Sequence, residues 1–179
     1  LFIRDIIDYS KNTRTEISQE IVDVTRLVEE VRDNFQFLEG ASSIRFFENI
    51  LVDKVVTDRT RVTVILNNLI SNAIKYHDRD NHNQWIKVNI FPSGRDLNIV
   101  ISDNGLGISE DNQSRIFEMF YRGTEKSKGS GLGLYIVKET IEKMNGSIQV
   151  ESKEGEGTSF IVTIPVSLVH VGVELAEAV

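Results

Sequence analysis

The chain has 179 residues, which predicts one domain or one domain plus an extra piece, and its hydrophobic content of 40% is ample for a core. Its net charge of −7 argues against a nucleic-acid backbone or an acidic membrane surface as partner, and the absence of cysteine excludes disulfides and thiolate metal sites. No run of 18 apolar residues occurs, so the sequence predicts no membrane span. The start at Leu1 indicates a fragment of a longer protein, expected in the cytoplasm; whether the parent is membrane-anchored stays open.

Apolar periodicity predicts the elements of the first half. They are the end of an amphipathic helix over residues 1–12, a strand over 16–24, a helix over 24–40 stopped by Gly40, a short strand over 43–50, and a helix capped by Asp58 that runs to about His77. The first of these helices is expected to lie outside the domain, as its residues 1–14.

The second half reads as strands around a glycine-rich region. The predicted elements are a hairpin of strands 85–91 and 97–103 joined by a Pro-Ser-Gly turn, a glycine-rich region over 104–131, a helix from about Leu132 to Met144, and a last hairpin of strands 147–153 and 158–165. A sheet with helices on one face follows, which is a two-layer α/β sandwich over residues 15–165. The tail, residues 166–179, stays open between a disordered end, a packing strand and vector-derived residues.

The helix after Asp58 carries an unusual polar stripe beside its apolar face. At 100° per residue, Asn68, Asn72, Lys75 and Tyr76 fall in one sector that borders the core side. A stripe in that position predicts the wall of a pocket. An ordinary solvated face is the alternative, because short motifs match by chance.

Two glycine clusters favour the pocket. DNGLGI, residues 103–108, presents the carboxylate of Asp103 after a buried strand, beside glycines that let the backbone come close. GSGLGLYIVKE, residues 129–139, places alternate glycines before a helix, where free N–H groups and the helix dipole favour phosphate. A simple turn and a flexible loop are the alternatives. The cations between the clusters, which are Arg122, Lys126 and Lys128, fit either interpretation.

Together these segments resemble the ATP-binding domain of sensor histidine kinases, within the wider family shared by type II topoisomerases, mismatch-repair ATPases and a heat-shock chaperone. Five motifs stand in the family's order: NNLISNAIKY (67–76) as the N box, DNGLGI (103–108), IFEMFYRG (116–123) as the phenylalanine box, GSGLGL (129–134) and GEGTSF (155–160). The resemblance implies the family's α/β sandwich, of the GHKL (Bergerat) type, with a mixed sheet.

The resemblance also implies roles for the site residues. Asn72 would bind Mg²⁺ through its amide oxygen, which suits a hard cation that keeps phosphate and water ligands. Asp103 would accept from the adenine amino group, and Arg122 would reach the γ-phosphate. The remaining nucleotide contacts would come from Asn68, Lys75, Tyr76, Gly105, Gly107, Gly129, Gly131, Leu132, Gly133 and Thr158. Phe117 and Phe120 would anchor the lid, with plain core as the alternative.

The residue at position 68 separates kinases from hydrolases within the family. ATP-hydrolysing members resemble one another in having glutamate at the position of Asn68, and an amide cannot act as a general base. A protein-histidine kinase is therefore implied, with Asn68, Lys75 and Arg122 at the reaction centre. Its expected partners are a phosphotransfer helix hairpin, normally in a homodimer, and a response regulator.

The acceptor histidine is not recognisable in this sequence. The three histidines, His77, His82 and His170, lack the acidic and basic residues and the proline that follow the acceptor in the family. IRDIIDYSKN resembles only the end of the hairpin's second helix. Two functions therefore stay open, a kinase catalytic domain and an ATP-binding regulatory module without transfer activity.

Overall fold

The computed structural model describes residues 16–38, 40–78, 80–123 and 130–169. The predicted helix end over residues 1–12, together with Lys126, Lys128, Gly129 and His170, lies outside the described residues. No helix in the described ranges is long and apolar enough to cross a membrane.

The predicted strands and helices of the domain occur in the predicted order, and two short strands and a short helix occur in addition. In chain order the elements are β1 (Glu20–Asp23), α1 (Val24–Asp33), a 3₁₀ turn (Ala41–Ser43), β2 (Arg45–Ile50), β3 (Lys54–Thr57), α2 (Arg59–Lys75), β4 (Trp85–Ser93), β5 (Asp96–Asp103), α3 (Glu110–Gln113), α4 (Gly133–Lys143), β6 (Ser147–Lys153), β7 (Gly157–Pro165) and β8 (Ser167–Leu168). The additional strands are β3 and β8, and the additional helix is α3.

A five-stranded mixed sheet forms one layer of the fold. Its order is β2-β4-β5-β7-β6, with β2 parallel to β4 and every other pair antiparallel. Alternate residues of β4, β5 and β7 are buried, as the period-two pattern requires. Their apolar side chains share one core with the buried faces of α1, α2 and α4. The predicted two-layer α/β sandwich is confirmed.

A second, three-stranded sheet was not predicted. Its order is β1-β3-β8, and both pairs are antiparallel. The strands β3 and β8 have four and two residues, too few to show alternation in the sequence. Of the three interpretations left open for the tail, a packing strand describes Ser167–Leu168, which pair with Val55 and Val56.

Three predicted boundaries were wrong. The first strand begins at Glu20 rather than at residue 16. Helix α1 ends at Asp33 rather than near Gly40, and the segment after it forms turns. Phe37 is 90% exposed, so it does not extend the buried apolar face of the helix. The hairpin of β4 and β5 extends through Pro92 and Ser93, and its turn is Gly94-Arg95. Gly94 has φ of 62°, a conformation that glycine adopts without strain.

The turn between β6 and β7 offers a matched pair of glycines. A Cβ added to Gly157 would overlap the carbonyl oxygen of Asp103, whereas one added to Gly155 meets no atom within 4 Å. Both have positive φ, which is 80° at Gly155 and 118° at Gly157, so each alanine variant has a backbone strain of about 1–2 kcal/mol. Overpacking adds about 1–3 kcal/mol at position 157 only. We therefore expect Gly157→Ala to lower the free energy of unfolding in urea clearly more than Gly155→Ala. Equal losses would contradict this packing of the turn against β5.

Candidate functional site

A cavity of 460 Å³ opens between the C-terminal half of α2, the end of β5 and the loops that follow it. Six residues assigned to the nucleotide from the sequence line it: Asn72, Tyr76, Asp103, Gly107, Arg122 and Thr158. They come from four motifs separated by up to 86 positions in the chain, so the fold brings the predicted residues together at one place. The volume is in the range of small-molecule sites.

Helix α2 presents Asn72 and Tyr76 to the cavity one turn apart. The adjoining core face carries Ile65, Leu66 and Leu69, all fully buried, which fixes the rotation of the helix. The Asn72 side-chain amide makes no hydrogen bond to other described residues, so its oxygen is available to a ligand in the cavity.

Asn68 lies one turn before Asn72, is also partly buried, and is hydrogen-bonded to its own helix. Its Nδ2 donates to the carbonyl oxygen of Val64 over 2.9 Å. Its Oδ1 faces the start of α4, 2.9 Å from where a Cβ on Gly133 would lie. Glycine at position 133 therefore lets α2 and α4 approach closely. Asn68 and Gly133 are not among the residues that line the cavity.

Asp103 ends β5 and points a carboxylate toward the cavity. Its Oδ1 accepts from the backbone N–H of Gly105 over 2.9 Å, and its neighbour across the sheet is Thr158, which is buried. Burial raises the pKa of Asp103 to about 6, although backbone N–H groups of Gly105 and Thr158 act in the opposite direction. A largely buried carboxylate at the wall of a cavity is suited to accepting a hydrogen bond from a polar group of a ligand.

The glycines of DNGLGI pack against backbone rather than open space. A Cβ on Gly105 would overlap the carbonyl oxygen of Tyr76, which also accepts from Leu106 N–H over 2.9 Å. A Cβ on Gly107, whose φ is 66°, would overlap the carbonyl of Lys153. This loop is thereby joined both to α2 and to the β6–β7 turn.

A polar network that the sequence did not indicate connects the first and last glycine motifs. Ser152 Oγ accepts from Ile108 N–H over 2.8 Å and donates to the carbonyl of Gly157 over 2.8 Å. Gln113 Nε2 donates to the carbonyls of Ile108 and Ser152 over 2.9 Å and 2.8 Å. These bonds hold the loop that follows Asp103 beside Thr158.

Other assigned residues lie around the cavity without lining it. Leu132 is buried, and Gly131, with φ of 73°, fits against the backbone of Phe120, whose N–H donates to the Gly131 carbonyl over 3.1 Å. Lys75 is exposed at the end of α2. Leu132 and Gly131 thus shape the approach to α4, while six assigned residues face the cavity itself.

The two phenylalanines of IFEMFYRG differ in environment. Phe117 packs against the core and meets Phe160 edge to face, with ring centroids 6.4 Å apart. Phe120 is 55% exposed. The plain-core interpretation therefore describes Phe117. His77 lies against Gly40 and does not line the cavity.

Sequence reasoning did not identify the apolar floor of the cavity. It consists of Ala73, Ile108, Ile116, Leu134 and Phe160. Each looks like ordinary core in the sequence, and only Ile108 and Leu134, which flank assigned glycines, carried a local signal. Apolar lining residues together with the buried carboxylate of Asp103 suit an aromatic heterocycle with a polar edge.

The family model for histidine kinase-, DNA gyrase B- and HSP90-like ATPases matches residues 57–168. The sensor protein kinase WalK of Staphylococcus aureus is 33% identical over 95% of this chain. The match covers 42% of that relative, and 29% of WalK from strain Newman. The chain thus spans less than half the length of these curated relatives.

Solved structures of histidine kinases share the fold. Full-length ShkA in complex with AMPPNP has a TM-score of 0.79 at 23% identity, with 93% of this chain and 35% of that one covered. The mycobacterial sensor histidine kinase MprB gives 0.72 at 25%, covering 85% and 100%. The catalytic domain of histidine kinase ThkA gives 0.71 at 29%, covering 83% and 95%. Since the family model matches more than half of the residues, the chain belongs to the histidine kinase-, DNA gyrase B- and HSP90-like ATPase family.

Proposed function

We propose that this chain is the ATP-binding catalytic domain of a two-component sensor histidine kinase. The γ-phosphoryl group of ATP would pass to a histidine on a phosphotransfer helix and then to a response-regulator aspartate. The observation that carries the proposal is the convergence of Asn72, Asp103 and Thr158 on one cavity with an apolar floor. Residues 1–14 would end the phosphotransfer hairpin of a homodimer, and residues 15–165 would form the catalytic domain.

The adenine of the nucleotide would lie near Asp103, and its phosphates would lie near α2 and Arg122. The carboxylate of Asp103 beside the apolar floor would accept from the adenine amino group, and Tyr76 would pack on the base or ribose. Gly105 and Gly107 would act indirectly, because they let the loop beside the base pack against the backbone of Tyr76 and Lys153. Thr158, paired with Asp103 across the sheet, would complete that end.

The phosphate end would be formed by residues of α2, Arg122 and the loop before α4. The available amide oxygen of Asn72 fits a magnesium ion, which would neutralise phosphate charge. No group of three or more His, Cys, Asp or Glu side chains that could hold a metal occurs in the described ranges, so the phosphates would supply further ligands. Lys75 and Arg122 would add positive charge there, and the backbone N–H groups at the N-terminal end of α4 would donate to the phosphates.

Transfer to histidine rather than to water would follow from the residue expected at the reaction centre. Asn68 is an amide whose Nδ2 already donates to the helix backbone, so it has no basic group with which to activate water. The protein would therefore contribute by placing charge and aligning the phosphate with a nucleophile from another segment.

Nucleotide binding is tested by calorimetry with a non-hydrolysable ATP analogue, with and without Mg²⁺. We expect Asn72→Ala to reduce the gain in affinity due to Mg²⁺ by about tenfold, because the cation loses the amide oxygen as a ligand. Asn67→Ala is the matched control, since Asn67 lies on the same helix outside the cavity and should behave as wild type. Absence of binding to the wild type at millimolar analogue would rule out the proposed function, and an unchanged Mg²⁺ effect in Asn72→Ala would rule out Asn72 as the ligand.

A further inference from the structure

A hydrogen-bonded cluster lies where the chain leaves the phenylalanine box. Asn112, in the single turn of α3, accepts through Oδ1 from the hydroxyl of Tyr121 over 2.6 Å. Its Nδ2 donates to Ser109 Oγ over 2.8 Å. The same Nδ2 lies 3.3 Å from where a Cβ on Gly123 would be, so the amide is also the nearest side chain to that glycine.

A second group holds the ring of Tyr121. The guanidinium of Arg115 lies over the ring, 4.4 Å from its centroid, and pairs with Glu118 over 3.2 Å. Cation–π contacts at exposed positions are weak, so the guanidinium favours the ring position without fixing it. The short bond from the phenol to Asn112 then sets how far the ring can turn.

Asn112 itself is poorly suited to direct recognition of a ligand. It lines the cavity together with Tyr121, Arg122 and Gly123, but both polar atoms of its amide already have protein partners. Arg122 follows Tyr121 directly, so fixing the phenol also restrains the backbone from which the Arg122 side chain extends.

We propose that Asn112 is a positioning residue for Arg122, acting through its hydrogen bond to Tyr121. The proposal rests on the proposed function, in which Arg122 contacts the γ-phosphate. When the bond is lost, residues 121–123 sample more positions, and the Arg122 guanidinium spends less time at the γ-phosphate. Recognition of the adenine and of the first two phosphates is unaffected, because it depends on Asp103, Tyr76 and Asn72.

The readout is the ratio of affinities for a non-hydrolysable ATP analogue and for ADP, measured by calorimetry with Mg²⁺. Asn112→Ala and Tyr121→Phe are each expected to lower this ratio about five- to tenfold, which is the effect of one hydrogen bond, and to leave ADP affinity unchanged. The double variant is expected to equal either single variant, since the two changes remove the same bond.

Two further variants complete the design. Arg122→Ala should lower the ratio at least as much as Asn112→Ala. Asn98→Ala is the matched control, because it also removes a hydroxyl-to-amide bond, from Thr163 over 2.8 Å, at the opposite end of β5 from the cavity, and it should keep the wild-type ratio.

The outcomes separate this inference from the proposed function. A wild type that binds neither nucleotide contradicts the proposed function. A wild type that prefers the ATP analogue, with Arg122→Ala losing the preference and Asn112→Ala keeping it, overturns the positioning role alone. Additive losses in the double variant, or an Arg122→Ala variant that keeps the preference, also overturn it. If Asn112→Ala does not fold, Tyr121→Phe, which retains the ring, decides the question.

Discussion

Asp58→Ala is expected to lower the free energy of unfolding by about 3–5 kcal/mol, because it leaves a buried guanidinium without its carboxylate. Asp58 is 2% exposed and its partner Arg61 is 4% exposed. The two form an ion pair one turn apart at the start of α2. A buried charge that loses its partner is among the larger single-site losses of stability in proteins.

The carboxylate of Asp58 also joins two parts of the chain. Its Oδ1 caps α2 by accepting from Arg61 N–H over 2.9 Å, and its Oδ2 accepts from Ser18 N–H over 3.0 Å. Arg61 in turn donates to the carbonyl of Glu16 over 3.2 Å. The variant therefore loses a helix cap and releases the segment before β1 from α2, in addition to the ion pair.

Asp23→Ala is the matched control for this effect. Asp23 caps α1 by accepting from Arg26 N–H over 3.0 Å, but the bond is exposed and involves no buried charge. Its loss should cost about 1 kcal/mol. Urea unfolding of both variants decides the matter, and losses of similar size would show that burial adds nothing to the Asp58 contact.

The Asp58 pair also has an expected pH dependence. Burial alone would raise the pKa of Asp58, but the N–H groups of Arg61 and Ser18 and the Arg61 guanidinium together lower it. A lowered pKa in the folded state means that the carboxylate stabilises the protein above the usual value near 4, and that this stability is lost as the pH falls further. The free energy of unfolding of Asp58→Ala should therefore fall less between about pH 5 and lower pH than that of the wild type.

Asp103→Asn is expected to stabilise the nucleotide-free protein and to weaken its selection of ATP over GTP. Burial raises the pKa of Asp103 to about 6, so its ionised form is disfavoured in the folded state. Asparagine removes the charge and keeps an oxygen for Gly105 N–H. It also replaces one acceptor with a donor, which would leave the adenine amino group without its partner.

The sign of the stability effect depends on pH. A raised pKa favours folding while the carboxyl group is protonated, and this contribution disappears as the pH rises through about 6. Wild type and Asp103→Asn should therefore be equally stable near pH 3, and the variant should be more stable at pH 7.5 by up to ~3 kcal/mol. Thermal or urea unfolding at both pH values checks this, and a pH-independent difference would contradict it.

The effect on base selection is measured by competition between ATP and GTP analogues. An unpaired polar group costs about 1–3 kcal/mol, so the preference for ATP should fall by about 5- to 150-fold. Asp96→Asn, the same substitution at the other end of β5, is the control and should leave the preference unchanged. If Asp103→Asn discriminates as well as the wild type, Asp103 serves the fold and not the base.

The sequence indicated much of the site because the relevant signals are local. The polar stripe of α2, the capping residue Asp58 and the glycines after Asp103 each lie within a few residues, where helical spacing and glycine conformation are readable. Six of the assigned residues indeed line one cavity.

The features that escaped prediction depend on contacts between distant segments. Ser152 bonds to Ile108 44 positions away, and Arg61 reaches the carbonyl of Glu16 45 positions away. Neither residue type distinguishes such a role from an ordinary surface position. The strands β3 and β8 are similar, because each is too short to show its period and is defined only by its partner strand.

Phosphotransfer in trans is the direct test of whether this chain is the catalytic domain of a histidine kinase. The chain is mixed with γ-labelled ATP, Mg²⁺ and the parent's phosphotransfer hairpin at high concentration, and the label on protein is tested for acid lability and alkali stability. We predict acid-labile label on the hairpin and none on the chain alone, because none of the chain's three histidines has the sequence context expected of the acceptor, and because a high concentration of hairpin replaces a tether. No label on the hairpin, under conditions where ATP is bound, would contradict the kinase assignment and favour an ATP-binding regulatory module.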